Sequence, residues 1–289
     1  MSDWWPSRYG AEDQRGSLNE IRPEGVLAAT KLVTRGTVVD LAHVLDEHSP
    51  AFPGRTFKQW MYEKAPDGGL GSNHVHWFAE RFEATTQMGT HVDALNHLHD
   101  GDRTYNGHRL NDIVNESGTT VLGAETMPQV VTRGLLLDIA AVRGVTHQRP
   151  GDVITPDDAE AALAAAGTTV QPGDAVLFHT GWGAMWDTDP ALYVTGEPGP
   201  GKAMIQWLAD RRVAVTGCDT WSFGPVPAED HDRPFVVPQT LNTRFGVVIM
   251  ENLRLRDLAE IGATEFLFVM SHPKLRGATG AWIAPLAVL

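Results

Sequence analysis

His91 and Asp93 stand two residues apart in the segment Gln87-Met88-Gly89-Thr90-His91-Val92-Asp93-Ala94-Leu95-Asn96-His97. An imidazole and a carboxylate at that spacing can share one cation if the segment is extended, because side chains at i and i+2 leave a strand on the same side. The surrounding pattern points to a strand. Glu83, Thr85, Gln87, Gly89, His91 and Asp93 are polar or bare, whereas Phe82, Ala84, Met88 and Val92 are mostly apolar. Gln87 falls one pleat behind His91, and Gly89 leaves room for a water or a substrate. A solvent-exposed strand edge shows the same alternation. What raises the metal reading is His97, four residues after Asp93, followed by the donor-rich run His97-Leu98-His99-Asp100-Gly101-Asp102. Loops at strand ends are where rigid scaffolds carry reactive groups. A divalent cation here lowers the pKa of a bound water from about 15.7 toward roughly 7 and polarises a carbonyl. His97 can take the proton and return it to a leaving nitrogen or oxygen. Its plainer readings are a further ligand or a hydrogen-bonding loop histidine.

The elements that must hold these groups are mostly strands. Extended segments are expected over 37–41, 134–139, 174–179, 213–217, 245–250 and 266–269. Continuous apolar runs such as Leu135-Leu136-Leu137 and Val247-Val248-Ile249-Met250 predict strands covered on both faces, hence a mixed sheet with helices packed on it. One helix starts with Thr155 as N-cap, Pro156 in its first turn and Asp157 and Asp158 at its positive pole, and stops at Gly167. A second runs from Lys202 to Arg212 and a third from Pro23 to Val33. No glycine fingerprint for a dinucleotide and no phosphate loop is present.

The whole-chain properties narrow the partners. Among 289 residues, 36 acidic against 23 basic side chains leave a formal charge of −13, which disfavours nucleic acid and anionic membranes. A small molecule or another protein remains. The single cysteine, Cys218, excludes an internal disulfide framework and a cysteine-rich zinc site, and reads as a packed core thiol in a reducing, cytoplasmic setting. The start, Met1-Ser2-Asp3-Trp4-Trp5-Pro6-Ser7-Arg8, is unlike a signal peptide, and no apolar run is long enough to span a bilayer. No linker divides residues 1–289, which read as a single domain. His231, in Glu229-Asp230-His231-Asp232, reads as part of a solvated acidic loop. His74 and Trp77, with His76 between them, and Phe52 are candidates for pocket lining, as are some of the nine tryptophans; flat aromatic walls suit a flat substrate.

With Gly89, Thr90, His91, Asp93 and His97 in place, the chain resembles the cyclase superfamily of metal-dependent hydrolases, which includes bacterial kynurenine formamidase and isatin hydrolase. The family pattern is His-x-Gly-Thr-His-x-Asp-x-Pro-x-His; here Gln87 replaces the first His and Leu95 the Pro. The likeness extends through Trp5-Pro6-Ser7-Arg8-Tyr9-Gly10, Arg133-Gly134-Leu135-Leu136-Leu137-Asp138, Pro172-Gly173-Asp174, His179-Thr180-Gly181-Trp182, Glu251-Asn252-Leu253 and Gly277-Ala278-Thr279-Gly280, covering nearly the whole chain. It implies a mixed α/β fold of swivelling β/β/α type, a distorted barrel-like sheet flanked by helices. It also implies a homo-oligomer, dimer or tetramer, in which a neighbouring N-terminal segment helps to close the pocket. Counting back twelve residues from Glu251, where the dinuclear members carry a second His, lands on Gln239. The pattern looks like the isatin-hydrolase branch, with one manganese (alternatively zinc) bound by His91, Asp93 and Gln239. That branch also implies His97 as proton shuttle, with Gln87 and Glu251 as supporting groups or possible ligands. One imidazole, one carboxylate and one amide suit manganese or zinc and not copper or iron–sulfur chemistry. The implied activity is hydrolysis of a small cyclic amide, imide or lactone. An aryl formamidase and a cyclase or dehydratase of secondary metabolism are the alternatives.

Overall fold

The computed structural model describes residues 4–289, so Met1, Ser2 and Asp3, the first residues of the N-terminal stretch considered above, lie outside the described residues. A nine-stranded sheet organises the chain, curled into a half-barrel and flanked by helices. Its strands are β1 (Val38–Asp40), β4 (His91–Asp93), β5 (Val130–Asp138), β6 (Ala175–His179), β7 (Val215–Cys218), β8 (Val248–Glu251), β9 (Glu265–Met270), β10 (Gly280–Trp282) and β11 (Leu286–Val288). Two further strands, β2 (Phe57–Lys64) and β3 (Phe78–Ala84), form a separate antiparallel hairpin. The order across the sheet is β1-β11-β9-β5-β6-β7-β8-β4-β10. The central four, β5, β6, β7 and β8, run parallel, and every other pairing is antiparallel.

The apolar runs explain the centre of this sheet. Leu136, Leu177, Val215, Val248 and Met250 enter one core, while their neighbours Leu135, Leu137, Val176, Phe178 and Ile249 enter another. A period-2 strand with apolar residues on both faces needs cover on both, and the second face receives it from two helices, α2 (Pro156–Ala166) and α3 (Lys202–Asp210). Ala159, Ala162 and Leu163 of α2 and Met204, Trp207 and Leu208 of α3 pack there, beside the buried Cys218 thiol. Helix α2 begins and ends where its signals place it. Thr155 and Asp158 form a reciprocal capping box, and Gly167 closes the helix in the left-handed conformation. The helix expected over 23–33 is shorter, α1 (Pro23–Thr30).

Two expectations are corrected. The alternation over 82–93 is not one strand: β3 ends at Ala84, a turn follows, and pairing resumes at His91. Polarity alternates equally well along a hairpin end and the turn after it, so the period alone did not distinguish them. The strand expected from Phe245 starts at Val248, because Leu241–Phe245 form a wide helical turn closed by a left-handed Gly246.

Hairpin β2–β3 projects with little cover. Trp60, Met61, Tyr62, Phe78 and Phe82 are all exposed on it, Phe78 by 73%. Its tip carries His74, which is exposed and bonds through Nδ1 to the Gly68 carbonyl, and the half-buried Trp77. No helix among the described residues is long and apolar enough to cross a membrane.

Candidate metal centre

Strand β4 is only three residues long, yet it is clamped on both sides. Its register with β8 sets His91 opposite Glu251 and Asp93 opposite Ile249; its register with β10 sets Asp93 opposite Gly280 and His91 opposite Trp282. Cross-strand partners stand close enough for their side chains to interact. His91 and Glu251 therefore meet, with Nε2 and Oε2 3.2 Å apart, and Asp93 Oδ1 lies 3.6 Å from the same nitrogen. All three side chains are buried, and one donor atom from each falls within 4.8 Å of the others.

Local backbone holds this geometry. Gly89 has φ +59°, a left-handed conformation suited to glycine, and turns its carbonyl onto His91 Nδ1 at 2.8 Å. It does not open space for a ligand as expected, since a Cβ there would meet Leu45 Cδ1 at 3.1 Å. The same carbonyl accepts from Asn252 Nδ2 at 3.0 Å, and Thr90 Oγ1 donates to the Asn252 carbonyl at 2.6 Å. The motif turn is thus bolted to the end of β8.

The Gly89 carbonyl accepts only a proton, so His91 carries hydrogen on Nδ1 and a lone pair on Nε2. That lone pair faces two carboxylates. Both His91 Nε2 and Asp93 Oδ1 are buried without a hydrogen-bond partner. Three acceptors converging in a dry space repel one another, and a cation between them resolves the conflict; the residues present therefore fit a divalent metal. The titration behaviour expresses the same conflict. Burial lowers the His91 pKa, burial reinforced by Glu251 raises that of Asp93, and burial pushes Glu251 up to about 7.

A pH-dependent stability follows for the cation-free protein. A carboxyl raised on folding stabilises the fold fully below its ordinary value near 4.5, and that contribution is lost as pH rises through about 7. For Glu251 the whole loss is on the order of 3 kcal/mol, of which roughly 2 kcal/mol falls between pH 5.5 and pH 8. Denaturant unfolding of chelator-treated protein at pH 5.5 and pH 8 should show the drop, and Glu251→Gln, which keeps the neutral shape, should remove most of it. An undiminished drop in that variant would place the titrating group elsewhere.

His97 follows a turn after β4 and is less enclosed, with its side chain 22% exposed and Nε2 3.8 Å from Asp93 Oδ1. Gln87 reaches it despite the broken strand. The Gln87 amide stands 3.5 Å from His97 Nδ1 and 3.1 Å from Thr279 Oγ1, and its other end meets Thr86 Oγ1 at 2.9 Å. Gly280 makes this reach possible, because a Cβ at that position would lie 2.8 Å from the Gln87 nitrogen. The Gln87 amide therefore reaches His97 and not His91.

The centre opens into a cavity of about 140 Å³ lined by Phe52, Arg55, Asp93, His97, Leu98, Trp221, Ser222, Phe235, Pro238 and Glu251. Phe52 lines this cavity, with Trp221 at 5.2 Å and Phe235 at 6.3 Å between ring centres. Gln239 neighbours this wall without lining it. It sits in α4 (Val236–Thr240), and its amide nitrogen donates to the His99 carbonyl at 2.7 Å. His74 and Trp77, on the hairpin, are not among the lining residues, and His231 is exposed. Trp182 packs with Trp186, Tyr193 and Trp221 in a small aromatic core, so of these four only Trp221 also faces the cavity. Trp5 lies under Arg103 of its own chain, 4.5 Å from ring centre to guanidinium. Arg55, Ser222 and Phe235 carry no local signal that would have singled them out.

The Cyclase family model, described as "Putative cyclase", matches residues 39–225, well over half of the chain. The chain belongs to that family. Among solved structures, one described as a novel cyclase superposes with a TM-score of 0.88 at 29% identity, over 98% of this chain and 96% of the other. Isatin hydrolase A from Ralstonia solanacearum gives 0.65 at 22% identity, over 92% and 97%. An isatin hydrolase bound to the product analogue thioisatinate gives 0.67 at 18% identity, over 93% and 99%. No curated protein matches the sequence.

Proposed function

We propose that this protein is a metal-dependent hydrolase that opens a small cyclic amide, imide or lactone. The observation that carries the reading is the buried His91 Nε2 lone pair facing Asp93 and Glu251 beside a partly exposed histidine, at one wall of a small aromatic cavity. The shared fold with isatin hydrolases supports it. His91, Asp93 and Glu251 would hold one divalent cation, manganese or zinc. The Gln239 amide, its nitrogen taken by His99, has Oε1 left to offer as a further donor. Bound there, the cation would supply Lewis acidity to a water and to the substrate carbonyl.

The chain's own residues do the rest. Phe52, Trp221 and Phe235 seat a flat ring and exclude bulk water. The hydroxyls of Thr86 and Thr279 can each donate or accept, so either orientation of the Gln87 amide is satisfied. With Oε1 toward His97 the ring is protonated on Nδ1, and Nε2 is free to take the proton of the attacking water. The water oxygen bonds to the carbonyl carbon, the C–N or C–O bond breaks, and His97 returns the proton to the leaving atom. The test is turnover of isatin by manganese- or zinc-loaded protein in oxygen-18 water. One labelled oxygen in a ring-opened product is expected. Turnover of the isatin ring without label would favour the cyclase or dehydratase reading, and activity confined to aryl formamides would favour the formamidase one.

The exposed apolar hairpin supports a homo-oligomer, dimer or tetramer. Two strands with uncovered apolar residues are marginal alone. Sedimentation should show a species larger than the monomer, and Phe78→Glu should shift it toward monomer; a monomeric wild type would overturn this.

A further inference from the structure

Arg55 is a positive charge without a carboxylate partner in a mainly aromatic cavity whose two acids are Asp93 and Glu251. Its Nη1 donates to the Gln87 carbonyl at 3.0 Å, and its guanidinium lies 5.5 Å from the Phe52 ring centre. Among the described residues the guanidinium forms no ion pair and no other hydrogen bond, although Asp93 and Glu251 line the same cavity. A charge count then decides what the cavity accepts. Asp93 and Glu251 balance one divalent cation, which leaves the Arg55 charge over. A half-buried guanidinium with free N–H groups is suited to a carboxylate, which it can grip through two parallel hydrogen bonds.

We propose that Arg55, together with the Phe52–Trp221–Phe235 walls, makes the cavity a receptor for an aryl carboxylate, with the anion on the guanidinium and the ring among the three aromatic side chains. The anion has two possible sources. Hydrolysis of a neutral ring breaks one C–N or C–O bond, adds the water oxygen to the carbonyl carbon and leaves a carboxylate after loss of a proton, so the product is anionic; alternatively, the substrate carries a carboxylate from the start. The first source rests on the hydrolase reading. Recognition of the anion does not.

The test is calorimetric titration of the manganese-loaded protein with benzoate and with benzamide, a pair that differs chiefly in charge. Benzoate should bind at least about tenfold tighter, a difference of about 1.4 kcal/mol. Arg55→Gln should erase that preference with metal content unchanged, and Arg55→Lys should keep part of it. Equal binding of the two probes by wild type would overturn the proposal, and full benzoate affinity in Arg55→Gln would overturn it and assign the anion to the cation. The sources separate kinetically. If Arg55→Gln leaves the KM for neutral isatin unchanged but weakens inhibition by the ring-opened acid, the anion is the product's. If benzoate is preferred but neutral rings are not opened, the carboxylate belongs to the substrate, and the neutral-ring reading fails while the receptor stands.

Discussion

Asp93→Asn should leave a folded protein that neither retains a divalent cation nor turns over substrate. The substitution keeps the shape of the side chain but removes one of only two carboxylates in the centre. A dication in so enclosed a place then faces one negative charge, and the cost of its lost hydration is no longer offset. Elemental analysis after gel filtration should fall from one cation per chain to near none, and activity should fall to the uncatalysed background. Unfolding measured without metal separates this from misfolding. Burial raises the Asp93 pKa, so its ionised form is a burden on the metal-free fold near neutral pH, and the variant should unfold no more easily than wild type. Normal turnover by a cation-free variant would remove the centre from the mechanism altogether.

His97→Gln is expected to separate binding from proton transfer. His97 is not one of the three mutually close donors, and it reaches the cavity from the turn after β4. Cation content should therefore persist while kcat falls roughly 10²–10⁴-fold, the range for a lost general acid–base group. KM should change little, because in the proposed complex the ring is seated by Phe52, Trp221 and Phe235, which line the cavity. Gln87→Leu, which removes the amide that meets His97 Nδ1, should lower kcat less than His97→Gln does, with cation content unchanged. If His97→Gln released the cation together with activity, His97 would be a ligand and the proton acceptor would have to be sought elsewhere.

Sequence legibility followed the physics of each element. Strands β5, β6 and β8 were readable because apolar residues on both faces leave few alternatives, and helix α2 because Thr155 and Gly167 mark its ends chemically. His91, Asp93 and His97 were legible as a group from type and spacing. Glu251 was not, since its place opposite His91 is a matter of sheet register between distant segments. Resemblance supplied it only as a supporting group, with Gln239 ahead of it. Spacing likewise misplaced Gln87 on a pleat that does not exist, although its amide still arrives beside His97. Arg55, Trp221 and Phe235 come together through loops whose paths no local pattern encodes, and His74 and Trp77 were assigned to the pocket when the hairpin carries them away from it.

The two-sided clamp on β4 has a bearing on when the centre comes into being. The strands that flank His91 and Asp93 follow them by more than half the length of the chain. Contacts that close such long loops are among the slower to form. Cation capture at the proposed centre would therefore be a late event that seals a finished sheet and does not seed the fold. A partly made or partly unravelled molecule shows an isolated histidine and an isolated acid but no cage, so it has little to offer a passing ion. An occupied centre, in any preparation, would therefore mark a molecule whose sheet is complete.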